Sequence, residues 1–526
     1  MNRLEFVSVI TLVLLFGLLL GYLTALSYMF GALDLLSAIL IVVLIQVLLF
    51  FVSPLLMDLL LKQLYKAKQY SVEEFEQIDS GIANIVREIS EEFGFRAPTL
   101  YLIPDDHPTA FCYGTLRSHA RIAISQGILK YLEEDERRAV VAHELGHIVH
   151  RDFVVMTVAG IIVQILYLIA DACFQAAWNS SSDEESIAKW AVATILGVIT
   201  YILFWIANLI LLWLSRLREY YADDFSARKT SPRSLASALI KVAYGIIRTP
   251  GEATIVKRMG ALSIMDTKTA KEGLLLQKYI DKHPEVLRRL LAFDLYSPWA
   301  RLAEFLSTHP LTGKRVARLL KMADVSFDVP APNFERLYGI FLLDVFVWCS
   351  PVLFPVVTAL IIQPASLTAF LGALAIGGGI ATVLRTLYAY PPSTEEETRV
   401  LDLMINPYAS PLRGKRVRIS GTIVGRGFPG CPFSEDFVVD DQTGLLYIDF
   451  KALVPGIGDL FFALSKLKQV LGKHGTFKGW FFRDLSGKLV LAQAEVEGNV
   501  IHSHPRAWGL FRGAVLILVG IILYVL

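Results

Sequence analysis

The sequence predicts a mainly α-helical integral membrane protein that also carries a soluble α+β domain and a small C-terminal β-barrel. Three observations lead there. The 526 residues are 54% hydrophobic and only 19% charged, below the roughly 25% charge of ordinary soluble domains. Seven apolar runs are long enough to cross a hydrocarbon core about 30 Å thick, at about 1.5 Å per helical residue. The last polar segment divides into five short strand-like runs.

In chain order, spans are expected at 6–33 and 35–57, with Asp34 at the turn, then at 153–173, 190–214, 337–362 and 367–384, and a shorter one at 510–526. The first run is too long for a signal-peptide core and has a second span directly behind it, so it is expected to be retained. These runs make hairpins of 6–57, 153–214 and 337–384. Lys62, Lys66, Lys68, Arg151, Arg216, Arg218, Arg385 and Arg506 flank the span ends on one side, whereas the 174–189 loop holds Asp183, Glu184 and Glu185 with only Lys189 at its edge. The positive-inside bias puts the basic side in the cytoplasm of a cell (plasma or inner) membrane and the C-terminus outside. Asp171 and Asp344 lie near span ends and are expected to snorkel to the interface.

Segments 62–152 and 215–336 are separated only by a hairpin and are expected to form one discontinuous domain. A net charge of +1 offers no whole-chain attraction for nucleic acid. Cys112, Cys173, Cys349 and Cys431 lie far apart, so they make neither a zinc knuckle nor a disulfide framework.

The residues that carry chemistry begin at His143-Glu144-Leu145-Gly146-His147, in a proline-free stretch that opens with Asp135 and Glu136 and reads as a helix. At i and i+4 both imidazoles leave one face, which suits two of the four tetrahedral ligands of Zn²⁺. Glu144, one residue round, is placed to take a proton from an attacking water. His150 falls off that face and reads as structural. A hydrolytic zinc needs a third protein ligand and an open position. Glu219, just past the fourth span, is the candidate, and Asp223 one turn on would accept the free ring N–H of a ligand histidine. The 153–214 hairpin returns Glu219 to the membrane face of His143.

This helix, two spans, and then Ser215-Arg216-Leu217-Arg218-Glu219-Tyr220-Tyr221-Ala222-Asp223 resemble the M48 family of membrane zinc metallopeptidases, most closely its heat-shock protease branch, known as HtpX. Ser307-Thr308-His309-Pro310, followed by Arg315, resembles the family's Thr-His-Pro segment, which implies that His309 stabilises the oxyanion of the tetrahedral intermediate. The stretch 108–114 and the stretch 121–125 resemble the family's edge-strand region. Thr109 and Cys112 depart from its usual Asn-Ala-Phe-Ala, but the backbone of Ala110, Phe111 and Cys112 would still pair with an extended substrate. The resemblance covers roughly 1–325. It implies a gluzincin-like domain holding one Zn²⁺ per chain, with protein or peptide substrates.

The expected activity is that of a zinc-dependent endopeptidase acting on damaged or misfolded membrane proteins at the cytoplasmic face. One alternative is the prenyl-protein protease branch of the same family, which groups most spans before the zinc helix, whereas this chain has two before and five after. The other is a non-catalytic membrane scaffold, against which the intact His-His-Glu set argues.

After a linker at 390–395, residues 396–505 form a second soluble segment. Strands are expected at 416–424, 436–440, 445–451, 476–483 and 488–496, with a helix at 459–473 between the third and fourth. That is the order of an OB-type barrel. Lys478, Trp480, Phe481, Phe482 and Arg483 resemble a base-stacking platform, yet alternating aromatics in a strand read as barrel core. Membrane tethers at both ends also argue against nucleic acid. A substrate-recruiting or assembly module is expected.

Overall fold

The computed structural model describes residues 33–106, 108–178, 184–248, 291–325, 329–427, 433–484 and 487–526. The expected first span, apart from residue 33, lies outside the described residues, as does Cys431. Helix α1 (Leu33–Gln63) covers the second expected span and leads into a four-stranded sheet. Strands β1 (Lys68–Tyr70), β2 (Thr99–Ile103), β3 (Ala110–Tyr113) and β4 (Arg121–Ser125) take the order β1-β2-β4-β3. β2 runs parallel to β4, while β3 is antiparallel to it, with Ala110 opposite Ile124, and ends the sheet.

Helices α2 (Ser80–Glu92) and α3 (Glu134–Val149) pack with this sheet. Their core joins Ile82, Ile85 and Ile89 to Ile122, Ile124, Val141, Leu145 and Ile148, each worth about 1.5–3 kcal/mol on full burial. Asp79 locks the pair together: one carboxylate oxygen caps α2 by accepting the Ile82 N–H (2.9 Å) and the other accepts Arg137 Nε of α3 (2.6 Å).

Helix α4 (Asp152–Trp178) and helix α5 (Glu184–Lys229) form a hairpin. The sequence ends the fourth span at 214 and places Glu219 just past it; the structure carries both on one unbroken 46-residue helix. Its apolar part ends near Leu214, and the remaining four turns run into the soluble domain. Nothing between 214 and 219 breaks a helix, since Ser215, Arg216, Leu217 and Arg218 contain no glycine or proline. Helices α6 (Pro232–Arg248), α7 (Pro298–Phe305) and α8 (Thr312–Met322) follow, with α6 packed on α3 and α8 packed on α5 and α6.

Helices α9 (Phe334–Ile362) and α10 (Leu367–Ala389) come next. Strands β5 (Glu396–Glu397), β6 (Lys415–Arg426), β7 (Phe437–Asp440) and β8 (Leu445–Asp449) lead to helix α11 (Ile457–Phe461), which continues to Val470. Strands β9 (His474–Arg483), β10 (Gly487–Val496) and β11 (Asn499–His502) precede helix α12 (Pro505–Val525). The pairings β6–β7, β7–β8, β8–β10, β10–β9 and β9–β6 close a five-stranded barrel, with β8 and β10 parallel. β11, a hairpin partner of β10, is an addition to the expected strands. The aromatic alternation in β9 divides by face. Phe477 and Phe481 fill the barrel, whereas Trp480 and Phe482 pack outside it with Tyr390 at the end of α10.

Among the described residues five helices, α4, α5, α9, α10 and α12, are long and apolar enough to cross a membrane. Helix α12 lies directly on α10. A Cβ on Gly379 would stand 2.8 Å from the Gly513 carbonyl oxygen, and one on Gly520 would stand 2.8 Å from that of Gly372, so glycine is what allows backbone contact.

One expectation fails here. Asp344 does not snorkel: it is fully buried, accepts hydrogen bonds from Trp299 Nε1 (2.9 Å) and Tyr388 Oη (2.5 Å), and lies 3.9 Å from Arg413 Nε. Partners from α7, α10 and the barrel segment replace water around it. Asp171 is half-buried and hydrogen-bonds Gln175 one turn on.

Candidate metal centre

The amino end of α3 is held by Glu136, whose carboxylate accepts the Glu133 N–H (2.8 Å) and is met by Ser237 Oγ (2.5 Å) and Lys241 Nζ (2.8 Å) of α6. About two and three turns on, His143 and His147 present their rings on one face, with centroids 4.9 Å apart. Between them Gly146 meets α5. A Cβ at this position would lie 3.2 Å from both Ala222 Cα and Phe225 Cδ1, so a side chain here would push the two helices apart. Ser226 Oγ donates to the Ala139 carbonyl at 2.6 Å across the same crossing. Glu219 and Asp223, both buried, are thereby delivered to the histidines.

One ligand atom each from His143, His147 and Glu219 falls within 4.8 Å of the others. The two Nε2 atoms are 3.2 Å apart, and the Glu219 oxygens lie 3.6 Å from His143 Nε2 and 3.5 Å from His147 Nε2. The other ring nitrogens face carboxylates: His143 Nδ1 is 3.0 Å from Asp223 Oδ1, and His147 Nδ1 is 2.6 Å from Asp152 Oδ2. His147 Nδ1 is hydrogen-bonded to Asp152 and His143 Nδ1 stands beside Asp223, so the two Nε2 atoms point at one another and at Glu219, whose buried Oε2 makes no hydrogen bond. These converging donor atoms fit a metal cation at their centre.

Three partners escape sequence reasoning. Asp152 orients His147 and is itself gripped by Arg218 Nη2. Arg151 adopts φ +58°, and this left-handed turn between α3 and α4 folds Asp152 back onto the preceding helix. Arg315 of α8 is 1% exposed. It donates to Asp223 through Nε (2.9 Å) and Nη2 (2.7 Å), and its Nη1 is 3.4 Å from Glu219 Oε2. The only sequence signals are Asp152 following the zinc-motif helix and Arg315 following Thr308-His309-Pro310.

Charge and burial oppose each other throughout the site. Burial disfavours the Glu219 anion, but His309, His143, His147 and Arg315 hold its carboxyl well below the usual range. Burial also disfavours a charged His143, yet Asp223 and Glu219 outweigh it and raise the imidazole to about 9. His147 is lowered, chiefly by burial. His150, off the ligand face, is lowered to about 3 by burial and by its cationic neighbours; its ring packs against Tyr221 and Phe225.

A cavity of about 630 Å³ opens on the cluster. Glu144, His147, Glu219 and His309 line it on the polar side, and His309 Nε2 stands 3.5 Å from Glu219 Oε1. Glu144 is 2% exposed, and its Oε1 has no hydrogen-bond partner. The buried Cys112 thiol sits beside the Glu144 carboxylate; burial first, then that carboxylate, push it well up. Ala110, Phe111 and Cys112 form most of β3, the last strand of the sheet, with Cys112 and Tyr113 in the cavity wall. The opposite wall is apolar, from Phe50, Pro54 and Met57 of α1 and Phe153, Met156 and Ile161 of α4.

The described site stands within the part of the chain that matches known proteins. A model of peptidase family M48 matches residues 74–323. A protease HtpX homologue of Polynucleobacter necessarius subsp. necessarius (strain STIR1) is 33% identical over 241 residues, which is 45% of this chain and 72% of that protein. One of Pyrococcus furiosus is 29% identical over 311 residues, or 59% of this chain and 94% of its own length. The crystal structure of S. mikatae Ste24p aligns over 60% of this chain and 65% of its own, at 17% identity and a TM-score of 0.35, too distant to support an argument. Sequence similarity and apolar helices thus agree with the ligand cluster: the chain belongs to peptidase family M48 and is a membrane metalloprotease.

Proposed function

We propose that the chain is a zinc-dependent endopeptidase in which His143, His147 and Glu219 hold one Zn²⁺. The observation that carries this reading is the convergence of these three ligands while Asp223 and Asp152 occupy both outer ring nitrogens. Two imidazoles and one carboxylate, leaving a position open, are a donor set of hydrolytic zinc, which on binding would displace the proton that Asp223 and Glu219 favour on His143. Bound zinc supplies Lewis acidity, polarising a carbonyl and making a water acidic near neutral pH. Glu144 takes the proton of the attacking water at its unpartnered Oε1 and returns it to the leaving amine. His309, beside Glu219, donates to the developing oxyanion. The backbone of Ala110, Phe111 and Cys112 at the sheet's end adds an extended substrate as a further strand. Asp223 and Asp152 keep the ligand rings in one tautomer.

Substrates are membrane proteins, damaged or misfolded, whose segments leave the bilayer beside α1 and α4; the apolar cavity wall formed by these helices supports this. The basic residues flanking the spans support a cytoplasmic site in a cell membrane with seven spans. The barrel's strand order, with its helix between the third and fourth strands, supports an OB-type domain at 396–505, joined through hairpin 337–384 to a peptidase domain of 62–152 and 215–336. Glu144→Gln in the full chain tests the mechanism. Metal content should stay at the wild-type level while cleavage of an unfolded model protein falls by 10²–10⁴-fold. Wild-type turnover in this variant rules out the assignment.

A further inference from the structure

The barrel domain lies beyond the matched family region, which ends at residue 323, yet it makes buried contacts with the 293–311 segment that carries His309. Arg483, the last residue of β9, is 1% exposed and places its guanidinium carbon 3.7 Å from the centre of the Phe293 ring. Its backbone N–H donates to the Ser410 carbonyl (3.0 Å) and its Nη1 to the Met404 carbonyl. Asp294, the residue after Phe293, is itself buried. Asp294 Oδ2 accepts the Gly313 N–H at 2.8 Å, and a Cβ on Gly313 would stand 2.7 Å from that of Asp294. Two residues further along α8, Arg315 grips Asp223, which faces His143. Ala409 packs on the cluster of Phe293, Ala300 and Leu311, directly after the His309-Pro310 pair. A buried cation stacked on an aromatic face and bonded to a carbonyl is a specific, rigid anchor.

We propose that Arg483 is a positioning residue of the protease: from the barrel it fixes Phe293 and Asp294, and through them the 307–315 segment that presents His309 and Arg315. The barrel is then a working part of the peptidase. This rests on the roles given above to His309 and the ligand set.

The test uses the full chain in lipid nanodiscs, measuring metal content, melting temperature, kcat and KM on an unfolded model protein. Arg483→Ala should lower kcat per bound metal by roughly 10–100-fold, the range of ligand-orienting residues, with KM within about twofold of wild type. Arg483→Lys, which keeps a cation over the Phe293 ring, should recover part of that loss. If the alanine variant does not fold, Phe293→Leu replaces it, removing the ring face while keeping apolar volume beside Ala300 and Leu311, with the same expectation. Unchanged kcat per bound metal overturns the proposal whatever the melting temperature does, because a merely structural contact changes the folded fraction alone. If wild-type cleavage does not depend on Glu144, the reading of the site fails instead.

A different observation carries a second inference. The ridge at 453–464 exposes Leu453 (62%), Val454 (57%), Ile457 (79%) and Phe461 (64%), while Phe462, Ala463 and Leu467 face inward. It is continuous with the start of the apolar helix α12: Trp508 Nε1 donates to the Leu453 carbonyl (2.6 Å), and the His504 N–H donates to that of Lys451 (2.8 Å). An indole in the first turn of a membrane helix marks the interface level, and exposed apolar side chains at that level suit acyl chains. We infer that lipid covers this ridge.

Spin labels at Ile457 and Phe461, in a background lacking native cysteines and reconstituted in phosphatidylcholine vesicles, test it. Both should be relaxed more by oxygen and less by a water-soluble nickel chelate than a label at Ser420, on an exposed position of β6. Nickel accessibility equal to that of Ser420 overturns the inference. Dipolar broadening between labels on separate chains also overturns it, since a second copy would then cover the ridge.

Discussion

At the scale of single residues, the metal cluster depends as much on the carboxylates behind the histidines as on the ligands. Glu219→Ala should remove most of the metal and the activity, because it deletes the third ligand. Asp223→Ala and Asp152→Asn should each keep the site but cost 10–100-fold in metal affinity or activity. Metal titration of purified protein reads all three. If Asp223→Ala loses the metal while Glu219→Ala keeps it, the two assignments are exchanged. Asp152→Asn leaves an oxygen to accept the His147 Nδ1–H but removes the charge that balances Arg218. Its melting temperature should therefore fall as well, since a buried Arg218 loses its counter-ion.

Two helix crossings decide the architecture at the scale of elements. At the first, α3 and α5 approach closely because Gly146 has no Cβ. Gly146→Val should overpack this contact, cost about 1–3 kcal/mol, and separate His143 from Glu219. Scanning calorimetry with metal analysis should show both losses together. Destabilisation with full metal occupancy would show that the crossing tolerates displacement. The second crossing, of α10 on α12, brings the backbones at Gly372 and Gly379 against those at Gly520 and Gly513. Gly379→Leu should separate the helices and free α12, which a cysteine crosslink between the two helices would report as lost pairing. The five spans matched by α4, α5, α9, α10 and α12 were readable in sequence because a run of about 20 apolar residues needs no long-range information. The continuation of α5 through 215–229 was not, because polarity marks the edge of the membrane but not the end of a helix.

For the whole molecule, the basic residues at the span ends predict which side faces the cytoplasm. In a background lacking native cysteines, a cysteine at Ser181 should react with an impermeant thiol reagent added to intact cells, and one at Ser71 should not. The reverse labelling pattern would move the metal centre to the outer face.

Local spacing by itself determined five of the expected membrane spans, the one-face pair His143 and His147, and the five strands of the barrel, while the nomination of Glu219 and Asp223 also needed the hairpin topology and the motif resemblance. The spans, the histidine pair and the strands each rest on a short period, 3.6 or 2 residues, or on run length, so near neighbours suffice. Tertiary structure alone decided the rest. Arg218 meets Asp152 from 66 residues away and Arg315 meets Asp223 from 92. Asp344 is buried by Trp299 and Tyr388 from separate helices, and Arg483 reaches Phe293 from another domain. No period links such partners. Their pairing follows from which surfaces the folded helices and barrel bring together, and burying their charges makes each pairing obligatory, because an unpaired charge there would carry the full cost of losing water.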